Sequence, residues 1–254
     1  MKVTFLGTGT SNGVPMLACS CPVCRSTDPH DKRYRSSILV EKGDTAVVID
    51  TGYEFRLSAI RAGVTHLEGV LYTHSHADHM MGLDDLRVFT RKERLNVYGN
   101  EGTLDDIKKI FSYAFKTYDH YFGIPLLNAV VLEPYKDFTI GDLTFTPIPI
   151  THGRMDILGY RIGKFAYLTD VSYISDEAYE HLRGVEILAI GALRDRPHVA
   201  HFTFAQAEEA AKRIGVKECW FTHINHETSY EEINRRFGPL CQSAYDTMVL
   251  EIPE

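Results

Sequence analysis

Short apolar segments rich in β-branched residues recur along the chain. Segments of this kind predict β-strands, because branched side chains pack well on a pleated surface. The predicted strands cover residues 2–6, 37–40, 46–49, 69–72, 130–132, 144–150, 165–168, 187–190, 219–221 and 247–251. Residues 137–150 also contain a turn signal at Ile140, Gly141 and Asp142, which predicts a hairpin.

Between several of these strands, apolar positions recur at the spacing of a helix. The predicted helices cover residues 55–62, 103–110, 175–181, 203–214 and 230–237. Helix and strand therefore alternate in the last third of the chain, which is typical of α/β folds. The sequence has no internal repeat and no linker rich in glycine or serine. It predicts one domain over residues 1–254, an α/β sandwich of two sheets.

Composition and charge narrow the class of protein. Of the 254 residues, 44% are hydrophobic and 24% are charged, which is ordinary for a globular domain with a sizeable core. The formal net charge of −7 argues against a basic nucleic-acid footprint, so we expect no stable nucleic-acid partner. Because a metal site binds anions even in an acidic protein, phosphate chemistry stays open.

The sequence also bears on location. No apolar run approaches the roughly 20 residues of a membrane span, and Glu186 interrupts the run at residues 185–192. The first residues lack the pattern of a secretory signal, so we expect a cytoplasmic protein without a membrane partner. Five cysteines, three of them at positions 19, 21 and 24, fit a metal site in a reducing compartment better than a disulfide framework.

The most informative motif follows the predicted strand at residues 69–72. It reads THSHADH over residues 73–79 and contains four potential metal ligands, His74, His76, Asp78 and His79. Imidazole nitrogens at alternate positions of an extended turn can point to one metal ion, while Asp78 and His79 enter the following helix and face a second. The alternative is a polar surface loop. We favour two neighbouring metal ions.

Further ligands have to come from elsewhere, since four neighbouring residues cannot enclose two metal ions. Three later side chains fit this need, namely His152, Asp170 and His223. Each has a metal-binding side chain and follows a predicted strand, where α/β proteins commonly place their ligands. The alternative is that the three residues satisfy only local hydrogen bonds.

These seven residues, in their order and strand context, resemble the metallo-β-lactamase superfamily over essentially the whole chain. The resemblance implies an α/β fold, the αβ/βα four-layer sandwich, with two mixed sheets flanked by helices. It also implies the ligand sets: His74, His76 and His152 for one ion, Asp78, His79 and His223 for the other, and Asp170 bridging both. Asp50 matches a structural acidic position behind the site, or else is an ordinary turn residue after its strand.

The residue at position 76 bears on the metals. The flavodiiron branch of the superfamily has Glu where this chain has His76, which favours hydrolysis by Zn or Mn over iron redox chemistry. Two divalent ions bridged by water lower the pKa of that water, supply hydroxide and neutralise charge on a phosphoryl oxygen. We therefore expect two divalent metals, Zn or Mn, at the active site.

A further metal site is expected near the start of the chain. Cys19, Cys21 and Cys24 have a spacing that can wrap one tetrahedral Zn ion, but a fourth ligand has to come from elsewhere. His226 is the candidate, because it lies three residues after His223 and one short turn can supply both sites. We call Cys19, Cys21, Cys24 and His226 the cysteine knuckle and expect it to hold one structural Zn. The alternative is free thiols in a surface loop.

The knuckle occurs together with a glycine-rich loop that ends in Gly13-Val14-Pro15, with Gly82-Leu83 and with a Thr-His-x-x-His ending. This combination is similar to the PhnP-type branch, the phosphoribosyl cyclic phosphodiesterases, which carry a structural zinc beside the dinuclear site. The glycine-rich loop is either a turn between strands or a frame of backbone N–H groups around the metal pocket.

In the PhnP-type branch a further histidine is thought to assist the leaving group. His201 aligns best with that histidine, and His198 is the competing candidate. Arg194 and Arg196 in the same loop either clamp a terminal phosphate or form a solvated run of charge.

The expected function is a metal-dependent phosphodiesterase that acts on a small cyclic or nucleotide-like phosphodiester. Asp78 orients a metal-activated hydroxide through its metal, and His201 donates a proton to the departing oxygen. The alternatives are a tRNA 3′ processing nuclease, a thioester or lactam hydrolase of the same superfamily, and a metal-dependent binding or sensing protein without turnover. A homodimer is compatible with the sequence.

Overall fold

Two β-sheets pack face to face in this protein, as seen in a computed structural model that describes residues 1–118 and 123–253. The strands are β1 (Lys2–Gly7), β2 (Ser37–Lys42), β3 (Thr45–Ile49), β4 (Gly69–Leu71), β5 (Leu95–Gly99), β6 (Leu127–Val131), β7 (Phe138–Ile140), β8 (Leu143–His152), β9 (Met155–Ile162), β10 (Phe165–Leu168), β11 (Ile187–Gly191), β12 (Glu218–Thr222), β13 (Cys241–Ser243) and β14 (Val249–Glu251).

Seven helices lie in the described part of the chain, and the longer ones cover the outer faces of the sheets. They are α1 (Pro22–Arg25), α2 (Phe55–Ala62), α3 (Ala77–Met80), α4 (Glu101–Ile110), α5 (Asp176–His181), α6 (Phe204–Ile214) and α7 (Tyr230–Phe237). Short 3-10 segments cover Pro29–Asp31, Leu83–Phe89 and Ser112–Phe115. No helix in the described ranges combines the length and apolar character needed to cross a lipid bilayer.

Each sheet contains seven strands among the described residues and mixes parallel with antiparallel pairs. The first has the order β14-β1-β2-β3-β4-β5-β6, antiparallel as far as β3 and parallel from β3 to β6. The second has the order β13-β12-β11-β10-β9-β8-β7, parallel from β13 to β10 and antiparallel beyond. With helices outside, this is the predicted αβ/βα sandwich, so the predicted fold class is confirmed.

Three apolar layers hold the sandwich together. The inner faces of the two sheets meet in a core that includes Phe5, Ile49 and Tyr160. On the outer face of the second sheet, Phe221 of β12 packs with Phe204 of α6, and a third layer lies outside the first sheet. Strands covered on both faces carry nearly continuous apolar runs, which is why the sequence predicts most of them.

The structure differs from the prediction at strands that lack such a run. The strands β5, β9 and β13 were not predicted from the sequence. Polar residues or glycine interrupt β5 and β9, where pairing with apolar neighbours supplies the hydrogen bonds and packing. β13 reads Cys-Gln-Ser and is formed by pairing with β12 at the edge of the sheet. The predicted hairpin is present as β7 and β8, with Gly141 at φ 51° in its turn.

Helix boundaries shift by one or two residues because of capping. The predicted helix at 203–214 begins at Phe204, since Thr203 is its N-cap and forms a reciprocal capping box with Gln206. The predicted helix at 103–110 begins at Glu101, and the side chain of Asn100 accepts a hydrogen bond from the Thr103 N–H at 2.8 Å.

Candidate dinuclear metal centre

Three of the predicted site residues have left-handed backbone at the carboxyl ends of strands. Asp50 follows β3 with φ 65°, Asp170 lies two residues after β10 with φ 55°, and His223 follows β12 with φ 56°. Residues other than glycine seldom adopt this conformation, and it concentrates at functional sites where the surrounding packing enforces it. At each position the chain leaves its strand abruptly, and the side chains converge at one edge of the sandwich.

The first group of donors consists of His74, His76, His152 and Asp170, whose ligand atoms lie within 4.8 Å of one another. His74 Nε2 is 3.0 Å from His76 Nδ1. Asp170 Oδ2 is 3.8 Å from His74 Nε2 and also 3.8 Å from His152 Nε2. Ligands on one tetrahedral zinc ion are roughly 3.3 Å apart, so these distances are close to those of a shared ion.

The second group consists of Asp78, His79 and His223. Asp78 Oδ2 lies 3.3 Å from His79 Nε2 and 3.7 Å from His223 Nε2. Asp170 Oδ1 lies 3.4 Å from His79 Nε2 and 3.1 Å from His223 Nε2. Asp170 therefore turns one carboxylate oxygen toward each group, as the sequence analysis expects of a bridging residue.

This donor set fits divalent metal ions. In the described part of the chain, His79 Nε2 and both ring nitrogens of His223 are buried without a hydrogen-bond partner, although buried polar atoms normally have one. Other contacts fix the far side of two rings: His79 Nδ1 is 2.7 Å from Asp50 Oδ2, and His152 Nδ1 is 2.7 Å from the Ala200 carbonyl oxygen. Such contacts orient Nε2 toward a metal.

Asp50 lies behind the histidine motif and is fully buried. Its Oδ1 accepts a hydrogen bond from the Thr73 N–H at 2.8 Å, and its Oδ2 accepts one from Thr73 Oγ1 at 2.8 Å. Burial raises the pKa of Asp50, while the contact with His79 opposes that rise. The residue thus fixes both the start of the motif and the ring of His79, which agrees with the supporting position that the resemblance implies.

The electrostatics of the centre keep its carboxylates ionised. Burial raises the pKa of Asp170, but His223 and His79 outweigh that effect and hold its pKa well below the ordinary value. Burial opposes the same shift at Asp78, whose pKa is also held low, chiefly by His79. Burial lowers the pKa of His74 and so favours its neutral form, the form that binds a metal.

His201 lies against the centre, whereas His198 lies outside it. The ring of His201 stacks on that of His223 at 4.8 Å between centroids and lies 4.6 Å from the ring of His152. His198 is exposed, with its ring 5.0 Å from that of His201. Burial and the neighbouring His223 lower the pKa of His201 to about 3, so its imidazole is neutral at pH 7. Of the two candidates, His201 is the one within reach of the donor groups.

The two arginines of the same loop pair with a carboxylate that the sequence analysis missed. Glu227 Oε1 lies 2.7 Å from Arg196 Nη2 and 3.3 Å from Arg194 Nη1. Both arginines that could bind a terminal phosphate are therefore already paired with Glu227, so a phosphate would have to compete with this carboxylate. The one signal in the sequence was the position of Glu227 directly after His226, and that position alone does not identify its partners.

The four residues of the cysteine knuckle come together, with their ligand atoms within 4.8 Å of one another. His226 Nδ1 lies 3.4 Å from Cys19 Sγ and 3.3 Å from Cys21 Sγ. Partial burial raises the pKa of Cys21, but hydrogen bonds from the Cys24 amide and from His226 outweigh it and lower the pKa to about 6. The thiolate is the form that binds zinc. The zinc itself stays a prediction.

Glycines allow close packing around the motif. A Cβ atom at Gly52 would lie 2.3 Å from the Asp78 carbonyl oxygen, and one at Gly82 would lie 2.3 Å from the Gly52 carbonyl oxygen. In the glycine-rich loop, the Thr10 N–H donates to the Ile224 carbonyl oxygen at 3.1 Å. This loop therefore supports the segment that carries His223, a role beyond that of a turn between strands.

The sequence of this chain matches the family described as a beta-lactamase superfamily domain over residues 45–224. All seven residues of the two donor groups lie inside the matched region, whereas the knuckle lies outside it. The chain belongs to the beta-lactamase superfamily. The predicted class of enzyme, a metal-dependent hydrolase of this superfamily, is confirmed.

Individual relatives narrow this assignment. The chain superposes on the crystal structure of a new diphosphatase from the PhnP family with a TM-score of 0.92 and 38% identity, over 99% of this chain and 98% of that one. It therefore belongs to the PhnP-type branch, as the knuckle and the glycine-rich loop had implied.

Two curated relatives carry other names. An octanoyltransferase of Porphyromonas gingivalis (strain ATCC BAA-308 / W83) is 40% identical over 257 residues, which cover 100% of this chain and 52% of that protein. A ribonuclease Z of Bradyrhizobium sp. (strain ORS 278) is 28% identical over 141 residues, which cover 53% of this chain and 46% of that protein. The chain spans about half the length of the first of these relatives, and the second aligns with it over about half of both proteins.

Proposed function

We propose that this chain is a metal-dependent phosphodiesterase that hydrolyses a small cyclic or nucleotide-like phosphodiester. The observation that carries the proposal is the carboxylate of Asp170, whose two oxygens face two separate groups of donors. Two divalent ions bound there supply a hydrolytic nucleophile at neutral pH and neutralise charge that develops on phosphoryl oxygens. The 38% identity to a protein named as a diphosphatase supports phosphoryl chemistry over lactam or thioester hydrolysis.

The proposed ligand sets follow the two donor groups. His74, His76 and His152 would hold one ion, Asp78, His79 and His223 would hold the other, and Asp170 would serve both. Imidazole suits Zn, and carboxylate oxygens also suit Mn, so these two metals are the candidates. Three thiols and one imidazole form a Cys₃His set, which is typical of a structural Zn. Elemental analysis of freshly purified protein should therefore find about three metal ions per chain, and one tightly held ion or fewer would contradict the two-ion centre.

His201 is proposed to protonate the leaving alkoxide. Its imidazole is neutral at pH 7 in the chain alone, because burial and His223 lower its pKa to about 3. A phosphodiester anion beside the ring favours the cationic form and raises that pKa, which is the direction that the acid role requires. The ionised carboxylate of Asp78 holds its part of the centre in place and thereby orients the nucleophile.

The test compares substrates that differ in their leaving group. Metal-reconstituted protein is expected to cleave cyclic phosphates and bis(p-nitrophenyl) phosphate, and to act poorly on monoesters, β-lactams and glutathione thioesters. His201→Ala should lower kcat/KM about 100-fold or more for a diester with a poor alkoxide leaving group, yet spare the release of p-nitrophenolate, which departs without a proton. His198→Ala is the matched control. Equal losses on both substrates would remove His201 from the acid role.

A second candidate is hydrolysis of a diphosphate, which the identity to a protein named as a diphosphatase favours. A dinucleoside diphosphate added to the same panel separates the two reactions. Rapid cleavage of that compound with inert cyclic phosphates would assign the anhydride reaction. Rapid cleavage of precursor tRNA with inert cyclic phosphates would instead support the activity named for the ribonuclease Z relative.

A further inference from the structure

The loop at residues 194–201 carries His201 but has little core of its own. Its ends are joined, because the Leu193 N–H donates to the Phe202 carbonyl oxygen at 2.9 Å. Between these ends the chain is largely exposed, and the side chain of Val199 is 89% exposed. His201 nevertheless stacks on His223. Some contact has to hold an exposed loop in the one position that allows this stacking.

Glu227 makes the densest set of polar contacts with this loop. Its carboxylate forms a bidentate pair with Arg196, with Oε1 2.7 Å from Nη2 and Oε2 3.2 Å from Nε. Oε1 also accepts hydrogen bonds from Arg194 Nη1 at 3.3 Å and from Asn225 Nδ2 at 3.1 Å. Asn225 Oδ1 in turn accepts the Glu227 N–H at 2.9 Å. The glutamate is thus held by its own segment while it binds two side chains of the loop.

The segment that carries Glu227 is the one shared by both metal sites. Residues 223–227 contain His223 of the dinuclear centre, His226 of the knuckle and then Glu227. The backbone of this segment also joins the loop, since the Asn225 N–H donates to the Leu193 carbonyl oxygen at 3.1 Å. The His226 carbonyl oxygen lies 3.4 Å from Cys21 Sγ. A displacement of the knuckle would therefore move Glu227 as well.

We infer that Glu227 is a positioning residue that ties the loop of His201 to the segment bearing His223 and His226, so that the knuckle helps to set the position of His201. The inference rests on the proposed function, since it assigns Glu227 a task through His201. Two further contacts hold the loop from other directions: the Ala200 carbonyl oxygen with His152, and Asp195 with Arg236 at 2.6 Å. Loss of Glu227 is therefore expected to loosen the loop without unfolding it.

The experiment compares Glu227→Gln with Glu180→Gln in metal-loaded protein. Glu180 Oε1 pairs with Arg183 Nη2 at 2.7 Å beside the end of α5, so the control removes the same charge and an ion pair away from the loop. In Glu227→Gln, amide hydrogen exchange at Leu193 and Phe202, whose N–H groups are hydrogen-bonded at the two ends of the loop, should be about tenfold faster, because hydrogen bonds to a charged group are lost. Glu180→Gln should leave exchange there unchanged.

The kinetic measurement distinguishes an effect of Glu227 on the position of His201 from an effect on the metal centre as a whole. With Glu227→Gln, kcat for a diester with a poor alkoxide leaving group should fall about 10- to 100-fold, because a small misplacement of an acid costs up to about that much. The rate for bis(p-nitrophenyl) phosphate and the KM of both substrates should change little. Cys21→Ser, which removes a knuckle ligand, should also speed exchange at Leu193 and Phe202.

Each outcome decides one part of the inference. Unchanged exchange in Glu227→Gln would refute the tie between the segments. Faster exchange with equal kinetic losses on both substrates would refute the positioning of His201. Unchanged exchange in Cys21→Ser would remove the knuckle from the arrangement. Wild-type protein that cleaves no diester would refute the proposed function, while the exchange comparison would still decide whether Glu227 holds the loop.

Discussion

Asp50→Asn is expected to weaken metal binding at the dinuclear centre about 10- to 100-fold while the chain still folds. Asn has nearly the shape of Asp and tolerates the left-handed backbone of position 50, where φ is 65°. The amide keeps one acceptor for Thr73 but loses the negative charge that faces His79 Nδ1 at 2.7 Å. His79 is then oriented less firmly and becomes a weaker base toward a metal.

The magnitude follows from the contacts of this buried carboxylate. It accepts two hydrogen bonds from Thr73 and one from His79, and a hydrogen bond to a charged group contributes about 1.5–3 kcal/mol. Loss of the charged contact with His79 should therefore lower the free energy of unfolding by about 2–3 kcal/mol. Asp50→Ala removes every acceptor and adds strain at the left-handed position, so it should cost about 3–5 kcal/mol.

Two measurements test this prediction: urea unfolding of the metal-free protein, and titration of metal against a chromophoric chelator. Asp246→Asn is the matched control, because Asp246 is also a buried carboxylate but it accepts from Thr8 Oγ1 and the Tyr34 N–H, away from the donor groups. The control should leave metal affinity unchanged. Wild-type metal affinity in Asp50→Asn, together with lower stability, would refute the orienting role of Asp50.

Three further predictions concern other buried or ligand positions. Asp78→Ala should abolish turnover yet keep the circular dichroism of the fold, and a wild-type rate would show that its assigned role is wrong. Cys21→Ser should lower the Tm by roughly 4 °C or more, and more than it lowers activity per molecule, because a structural zinc contributes folding energy; an unchanged Tm would count against the knuckle. Burial raises the pKa of Asp246 to about 6, so the folded chain binds a proton that the unfolded chain releases. The free energy of unfolding should therefore fall by about 2 kcal/mol as pH rises from 4 to 6, and less in Asp246→Asn; parallel pH profiles from urea titrations would contradict this.

Much of the dinuclear centre could be predicted because its residues follow strands that are buried on both faces. Such strands read as apolar runs, and a metal-binding side chain within three residues of a strand's end is conspicuous, as with His74, Asp170 and His223. The spacing of the motif at residues 73–79 then shows that several ligands share one turn. The convergence of the later residues on this turn follows from the sheet order, which the resemblance to the superfamily supplied.

The supporting contacts could not be predicted in the same way. The atom that orients His152 is the carbonyl oxygen of Ala200, and a backbone acceptor has no signature in a sequence. Glu227 pairs with Arg196, which is 31 residues away in the sequence, and the sequence does not show which arginine a surface glutamate contacts. β13 forms only because β12 offers an edge to pair with, which is a property of the sheet and not of the segment.

His223 connects the metal-binding residues, which could be predicted, with the supporting contacts, which could not. Its left-handed backbone ends β12 abruptly, so the next three residues cross the edge of the sandwich and bring His226 to the cysteines. The same turn places Asn225 and Glu227 beside the loop of His201. A metal bound at the knuckle would therefore stabilise a segment whose other contacts shape the candidate dinuclear centre.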